Sequence, residues 1–127
     1  VKECNYDSRP YYEKLIEPLR AKARELGYAL AVHGTLKRDI DLIACPWIAE
    51  AVDPVELAEA LRVVAEGITG WAKPHPLEVD EHFKRGMPRV KPHGRLAWSF
   101  HLTEKFQGGG GPYIDLSVMP RIRTEDP

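Results

Sequence analysis

The stretch His33-Gly34-Thr35-Leu36-Lys37-Arg38-Asp39-Ile40-Asp41-Leu42 constrains this chain more than any other. A small-residue turn closes one apolar run. Two aspartates spaced i, i+2 then open the next, each followed by an aliphatic residue. On a strand, side chains alternate between faces, so both carboxylates share one face and Ile40 and Leu42 share the other. A fold must bury the second face and keep the first hydrated or compensated, because adjacent carboxylates repel and resist desolvation. The usual compensation is a divalent cation with oxygen ligands, and phosphoryl chemistry is the commonest use of such a pair.

The surrounding pattern predicts an α+β fold. A first helix is expected from Pro10 to Leu26, with Asp7 or Ser8 as cap, Gly27 as stop and Leu15, Leu19, Ala23 and Leu26 as core face; Pro18 predicts a kink or two abutting helices. Tyr28–His33 is nearly all apolar and reads as a central strand, and Asp39–Trp47 as its hairpin partner. Asp53-Pro54-Val55-Glu56 marks the start of a second helix, with Leu57, Leu61, Val64 and Ile68 as buried stripe and Gly67 or Gly70 as stop. Arg95–Leu102 alternates, with Leu96, Trp98, Phe100 and Leu102 on one face. Tyr113–Met119 points Ile114, Leu116 and Val118 inward, with Asp115 and Ser117 opposite. The order helix, hairpin, helix, hairpin predicts a mostly antiparallel four-stranded sheet with two helices on one face. Residues 1–127 are expected to form a single domain with a long irregular loop at about 70–94.

Composition narrows the function classes. A net charge of -1 argues against a general nucleic-acid or membrane binder, which usually carries a basic excess. Apolar runs are too short for a spanning helix and no signal-peptide pattern opens the sequence, so a cytoplasmic protein is expected. Cys4 and Cys45 show no metal-ligand spacing and read as reduced thiols, Cys45 in a buried strand.

Asp115 lies in Tyr-Ile-Asp-Leu-Ser, flanked by apolar residues as Asp39 and Asp41 are. Aspartate is disfavoured inside strands, so each of the three needs a reason. If their strands are neighbours, three carboxylates converge and can hold two divalent ions. Gly34 would let a phosphate approach the backbone, Thr35 adds a hydroxyl, and Lys37 and Arg38 could neutralise a polyphosphate.

Together, His-Gly-Thr, Asp-Ile-Asp-Leu and the later Ile-Asp-Leu resemble the polymerase-β-type nucleotidyltransferase signature. Gly27–Trp47 with Tyr113–Pro120 also looks like a group of small phage and prophage proteins. The resemblance covers roughly a third of the chain by motif, and the order of elements fits across all of it. It implies Asp39, Asp41 and Asp115 as catalytic ligands of Mg²⁺ (or Mn²⁺), and Gly34 and Thr35 as the clamp of a nucleoside triphosphate. The implied reaction moves a nucleoside monophosphate to a hydroxyl acceptor, in the host cytoplasm if the protein is phage-encoded.

Three alternatives stand beside it. Family members place a short helix between the Gly-Ser pair and the acidic pair, whereas here only Leu36, Lys37 and Arg38 intervene. This suggests a non-catalytic module that sequesters nucleotides or inhibits a host protein. His33-Gly34-Thr35 and His101-Leu102-Thr103 resemble the paired His-x-Thr motifs of two-histidine phosphodiesterases, in which the histidines split the acid and base roles. Structural duties could also account for the aspartates, with Asp39 as a turn residue, Asp41 paired with Arg38 or Arg95, and Asp115 paired with Arg121 or Arg123. In the 72–94 segment, His75, His82 and His93 lack tight metal-ligand spacing. Lys84, Arg85, Arg89, Lys91 and Arg95 form the one basic concentration, able to hold a nucleotide or single strand by charge and stacking. Trp47, Trp71 and Trp98 read as core or loop anchors.

Overall fold

Helix α1 (Arg9–Glu25) begins behind Ser8 at the N-cap, with Pro10 in its first turn, where a missing N–H costs nothing. Pro18 lies inside it, and the helix is assigned as one element from end to end. Pro18 and Lys14 are both exposed, so water can serve the Lys14 carbonyl that loses its intrahelical partner. Strands β1 (Tyr28–His33) and β2 (Ile40–Pro46) pair antiparallel, with His33 opposite Asp41. Helix α2 (Pro54–Thr69) starts at Asp53, whose carboxylate accepts from the Val55 amide at 2.8 Å, and ends at left-handed Gly70. After it come β3 (Lys73–Pro74), β4 (Arg89–Val90), a 3₁₀ turn at Pro92–Gly94, β5 (Leu96–His101) and β6 (Tyr113–Val118). The computed structural model describes residues 8–37, 39–74, 88–103 and 112–121.

Among the described residues, the α+β class holds with two helices, but the sheet differs from the expected four antiparallel strands. Five strands lie side by side in the order β1-β2-β6-β5-β3, and β4 also pairs along β5. The central β2–β6 pair is parallel, bringing Ile40 opposite Ile114 and Asp41 opposite Asp115. β5 and β6 form the expected antiparallel pair. Period-2 alternation reports which face a side chain takes and carries no information on strand direction. The segment expected as an irregular loop at 70–94 supplies the short strands β3 and β4 and the 3₁₀ turn, each too short to show a period. Residues 75–87 of that segment, with His75, His82, Lys84 and Arg85, lie outside the described residues.

The core lies between the helices and one face of the sheet. α1 packs on β1, β2 and α2, and α2 packs on β5. Leu15, Leu19 and Ala23 of α1 meet Tyr28, Leu30, Ile40, Leu42, Trp98, Phe100, Ile114, Leu116 and Val118 of the sheet. Tyr28 is buried, and its hydroxyl donates to the Val52 carbonyl at 2.6 Å. The α2 stripe is rotated from the expected one. Leu57, Ala58, Leu61 and Ala65 are buried, Val64 is half-buried and Ile68 is exposed, so the inward stripe runs through the two alanines.

Three further expectations are corrected. β1 is an edge strand, not a central one, with Ala29 and Ala31 exposed on its outer face. Cys45 pairs across from Ala29 on that same open face and is exposed rather than buried. Small residues make an open face read as apolar in sequence. Trp47 follows β2 and is 61% exposed, whereas Trp98 is buried in the core.

Candidate metal centre

The sheet face away from the helices carries the polar residues; it is open at Ala29 and Ala31 of β1 and closes over at Ala97, Ser99 and His101 of β5, which are buried. Asp41 of β2 stands beside Asp115 of β6, and Asp115 stands beside Ser99 of β5. With His33 opposite Asp41, one row crosses four strands as His33, Asp41, Asp115 and Ser99. Asp39, two residues before Asp41, points to the same side. One carboxylate oxygen from each of Asp39, Asp41 and Asp115 lies within 4.8 Å of the others, and all three residues are half-buried. Parallel pairing of β2 with β6 produces this convergence without any shift of register.

Electrostatics follow from the crowding. Asp41 is pushed up to about 7, first by burial, then by a hydrogen bond shared with the Asp39 carboxyl and by the negative charges of Asp39 and Asp115. Asp115 is also raised, chiefly by burial. The positive charge of Arg89 opposes this, as do a hydrogen bond from Ser99 and the charge of Lys91. The Ser99 hydroxyl donates to Asp115 Oδ1 at 3.5 Å and accepts from Arg89 Nη2 at 3.0 Å. Among the described residues, no ion pair satisfies any of the three carboxylates. Arg95, one expected structural partner of Asp41, donates to the Ser117 hydroxyl at 2.9 Å. Arg121, one expected partner of Asp115, lies 3.6 Å from Asp53 Oδ2 instead. Arg38 and Arg123 lie outside the described residues.

The donor set fits a hard divalent cation. Three carboxylates, no sulfur and partial exposure suit Mg²⁺ or Mn²⁺, which take oxygen ligands and retain water. A cation would also relieve the repulsion that holds the Asp41 proton near neutrality.

Gly34 makes room for the cluster. Its φ is +89°, and a Cβ there would stand 2.8 Å from Asp41 Oδ2. The turn contains a second left-handed residue, Leu36 (φ 65°), whose half-buried side chain packs against the core. Leucine is uncommon in that region of backbone space, so core packing holds this turn against a local cost. Thr35 Oγ1 accepts from the Lys37 amide at 3.5 Å, and both residues are exposed.

Cα pairing explains what the sequence reading overlooked. Ser99 lies in the row of Asp115 and touches it, yet between Trp98 and Phe100 it reads only as a polar gap in a buried strand. His33 and His101 stand on β1 and β5, three strand spacings apart, or about 14 Å. His101 is buried with its ring 5.7 Å from that of Tyr113, while His33 is exposed.

No helix among the described residues is long and apolar enough to cross a membrane. No protein-family model, curated protein or solved structure matches this chain.

Proposed function

We propose that this domain is a metal-dependent nucleotidyltransferase-like protein, moving a nucleoside monophosphate from a nucleoside triphosphate to a hydroxyl acceptor. The observation that carries the reading is the meeting of Asp39, Asp41 and Asp115, with one oxygen from each within 4.8 Å of the others and no ion pair to any of them among the described residues. Asp39 and Asp41 would hold Mg²⁺ or Mn²⁺, and Asp115 would complete one site. Ions bound there would supply charge neutralisation on the phosphates and a lower pKa for the attacking hydroxyl. Asp115, steadied by the Ser99 hydroxyl, would orient that hydroxyl for attack on the α-phosphorus. The new P–O bond would form as the bond to the bridging oxygen breaks. Pyrophosphate would leave, and the hydroxyl proton would pass to water. The Gly34 backbone, the Thr35 hydroxyl and the Lys37 and Arg38 side chains would meet phosphate from the β1–β2 turn.

The test joins metal titration to a transfer assay. Wild-type protein should bind Mn²⁺ in calorimetry and pass label from an α-labelled nucleoside triphosphate to an acceptor. Asp41→Asn should lose both. Protein that binds neither Mn²⁺ nor any nucleoside triphosphate at millimolar concentration would end the reading.

One observation favours a second reading. Residues 34–37 and 39 form a tight turn with no helix, so no helix amino terminus aims at the phosphates there. A non-catalytic module would keep the cluster and bind a metal-nucleotide complex or a host protein without transfer. Metal-dependent nucleotide binding with no label transfer to any acceptor would select it. The two-histidine alternative is the weaker one, because a single phosphate would have to reach both histidines across three strand spacings.

A further inference from the structure

Strand β1 is one margin of the sheet, and its outer side carries backbone groups that no other strand takes up. The ladder fixes which groups these are. Trp47 donates its amide to the Gly27 carbonyl at 3.1 Å, and pairing alternates from there, so Ala29, Ala31 and His33 turn their backbone groups toward β2. The N–H and C=O groups of Tyr28, Leu30 and Val32 therefore point away from the sheet. Of these, the Leu30 carbonyl alone has a bond among the described residues, accepting from Arg20 Nε at 3.4 Å.

Beside this margin lies a cavity of about 360 Å³, lined by Arg20, Arg24, Tyr28, Ala29, Leu30 and Trp47. No carboxylate lines it. Arg24 is exposed and has no ion pair among the described residues. Arg20 has the exposed Glu17 at 3.6 Å, a pair worth little in water. Sheet edges are ordinarily blunted by proline, by charged side chains on the strand or by cover. Strand β1, Tyr-Ala-Leu-Ala-Val-His, has no proline, lysine or acidic residue, and Arg20 reaching from α1 guards it at one carbonyl.

A strand that pairs with β1 must draw Arg20 off the Leu30 carbonyl. A carboxylate does so, because it offers a charge-assisted bond in place of a long bond to a neutral acceptor. A second copy of β1 supplies no carboxylate, and antiparallel self-pairing about Leu30 would bring its own arginines against Arg20 and Arg24. We infer that the β1 margin docks an extended, acidic peptide segment of a partner protein, which adds as a further strand with its carboxylates on Arg20 and Arg24. Backbone bonds to Tyr28, Leu30 and Val32 give the affinity, and the arginines select the charge. Side chains alternate along such a strand, so acidic residues take the α1 side and apolar ones lie beside the exposed Ala29 and Ala31. This site is separate from the carboxylate cluster and needs no cation.

The experiment measures fluorescence anisotropy of labelled, end-blocked peptides of about six residues, an ordinary strand length, with the full chain in chelator. A peptide alternating valine with glutamate should bind, and one alternating valine with lysine should not. Arg20→Gln combined with Arg24→Gln should weaken the glutamate peptide about tenfold or more. Lys14→Gln combined with Lys73→Gln removes equal charge elsewhere and should leave binding within about twofold once salt screens the general field. Thermal melting checks that each variant folds. A glutamate peptide N-methylated at alternate residues, which loses the donors of one edge while the protein stays wild type, should lose binding in the register that turns those donors to β1. The inference falls if the lysine peptide binds as well as the glutamate peptide, or if both double variants weaken binding equally. It falls if N-methylation on either set of alternate residues leaves binding unchanged, or if no peptide binds at millimolar concentration. Sedimentation showing a dimer that the peptide does not dissociate and that Val32→Pro, which removes an outward N–H, abolishes would name a second copy as the occupant and overturn it too.

Discussion

Asp41 and Leu42 are adjacent in the chain and belong to opposite faces of the sheet. Leu42 is 1% exposed under the helices, where apolar contact is fully satisfied. Asp41 stands on the opposite face, crowded by the carboxylates of Asp39 and Asp115, and none of the three has an ion pair among the described residues. The helical face contributes stability through burial, and the open face gives some of it up to hold carboxylates together. Residues one position apart should therefore respond oppositely to truncation.

The sharpest contrast comes from Leu42→Ala, which leaves a cavity in the core where α1 packs on β2 and should cost about 2–5 kcal/mol in urea unfolding. Equal stability of this variant and wild type would break the division between faces. Next in size is Gly34→Ala. A Cβ there meets Asp41 Oδ2 on a left-handed backbone, so a loss of about 1–3 kcal/mol is expected, together with weaker Mn²⁺ binding. If stability falls while Mn²⁺ affinity holds, Gly34 serves the turn and not the cluster. Asp41→Asn should move the other way. At pH 8 without divalent ions it should stabilise by on the order of 1 kcal/mol, after allowance for solvent screening at a half-exposed site.

The pH dependence sharpens the same point. The folded-state pKa of Asp41 is about 7, above its ordinary value of 3.8, so the folded form binds more protons between those limits. Its contribution is complete below about pH 4 and is lost as pH rises through 7. Asp115 is shifted in the same direction and reinforces the trend. Wild-type unfolding free energy should decline over this window in the presence of a chelator, and Asp41→Asn should flatten the decline. Added Mg²⁺ should raise the melting temperature at pH 8 more than at pH 5, because protons and cations compete for the same oxygens. The smallest effect expected is at Asp53. Removing its cap bond with Asp53→Ala should cost about 1 kcal/mol and leave Mn²⁺ affinity unchanged.

Legibility in the sequence divided along the same line. Alternation in Arg95–Leu102 and Tyr113–Met119 placed Trp98, Phe100, Leu116 and Val118 inward, and Asp53-Pro54 marked the start of α2. These are local signals with a fixed period. Strand order and direction depend on contacts between distant segments, so the parallel β2–β6 pair was not legible. Neither was the edge position of β1, because Ala29 and Ala31 are small enough to stand in water or in a core. The three aspartates were legible as misfits, residues that strand propensity alone would not choose. Ser99 and the Ser117–Arg95 contact were not, since a serine in a strand is ambiguous until its row is known. Nor did the sequence suggest that Arg95 would take a hydroxyl when carboxylates stand so close.

The parallel alignment of β2 with β6 also bears on the order of folding. Asp39 and Asp41 are delivered early by a local hairpin, but Asp115 arrives only after α2 and β5 are laid down and the last strand slots between β2 and β5. Such a long-range closure is entropically late. Cation uptake would therefore mark completion of the sheet, and an ion once seated would act as a clasp that keeps the final strand from peeling away.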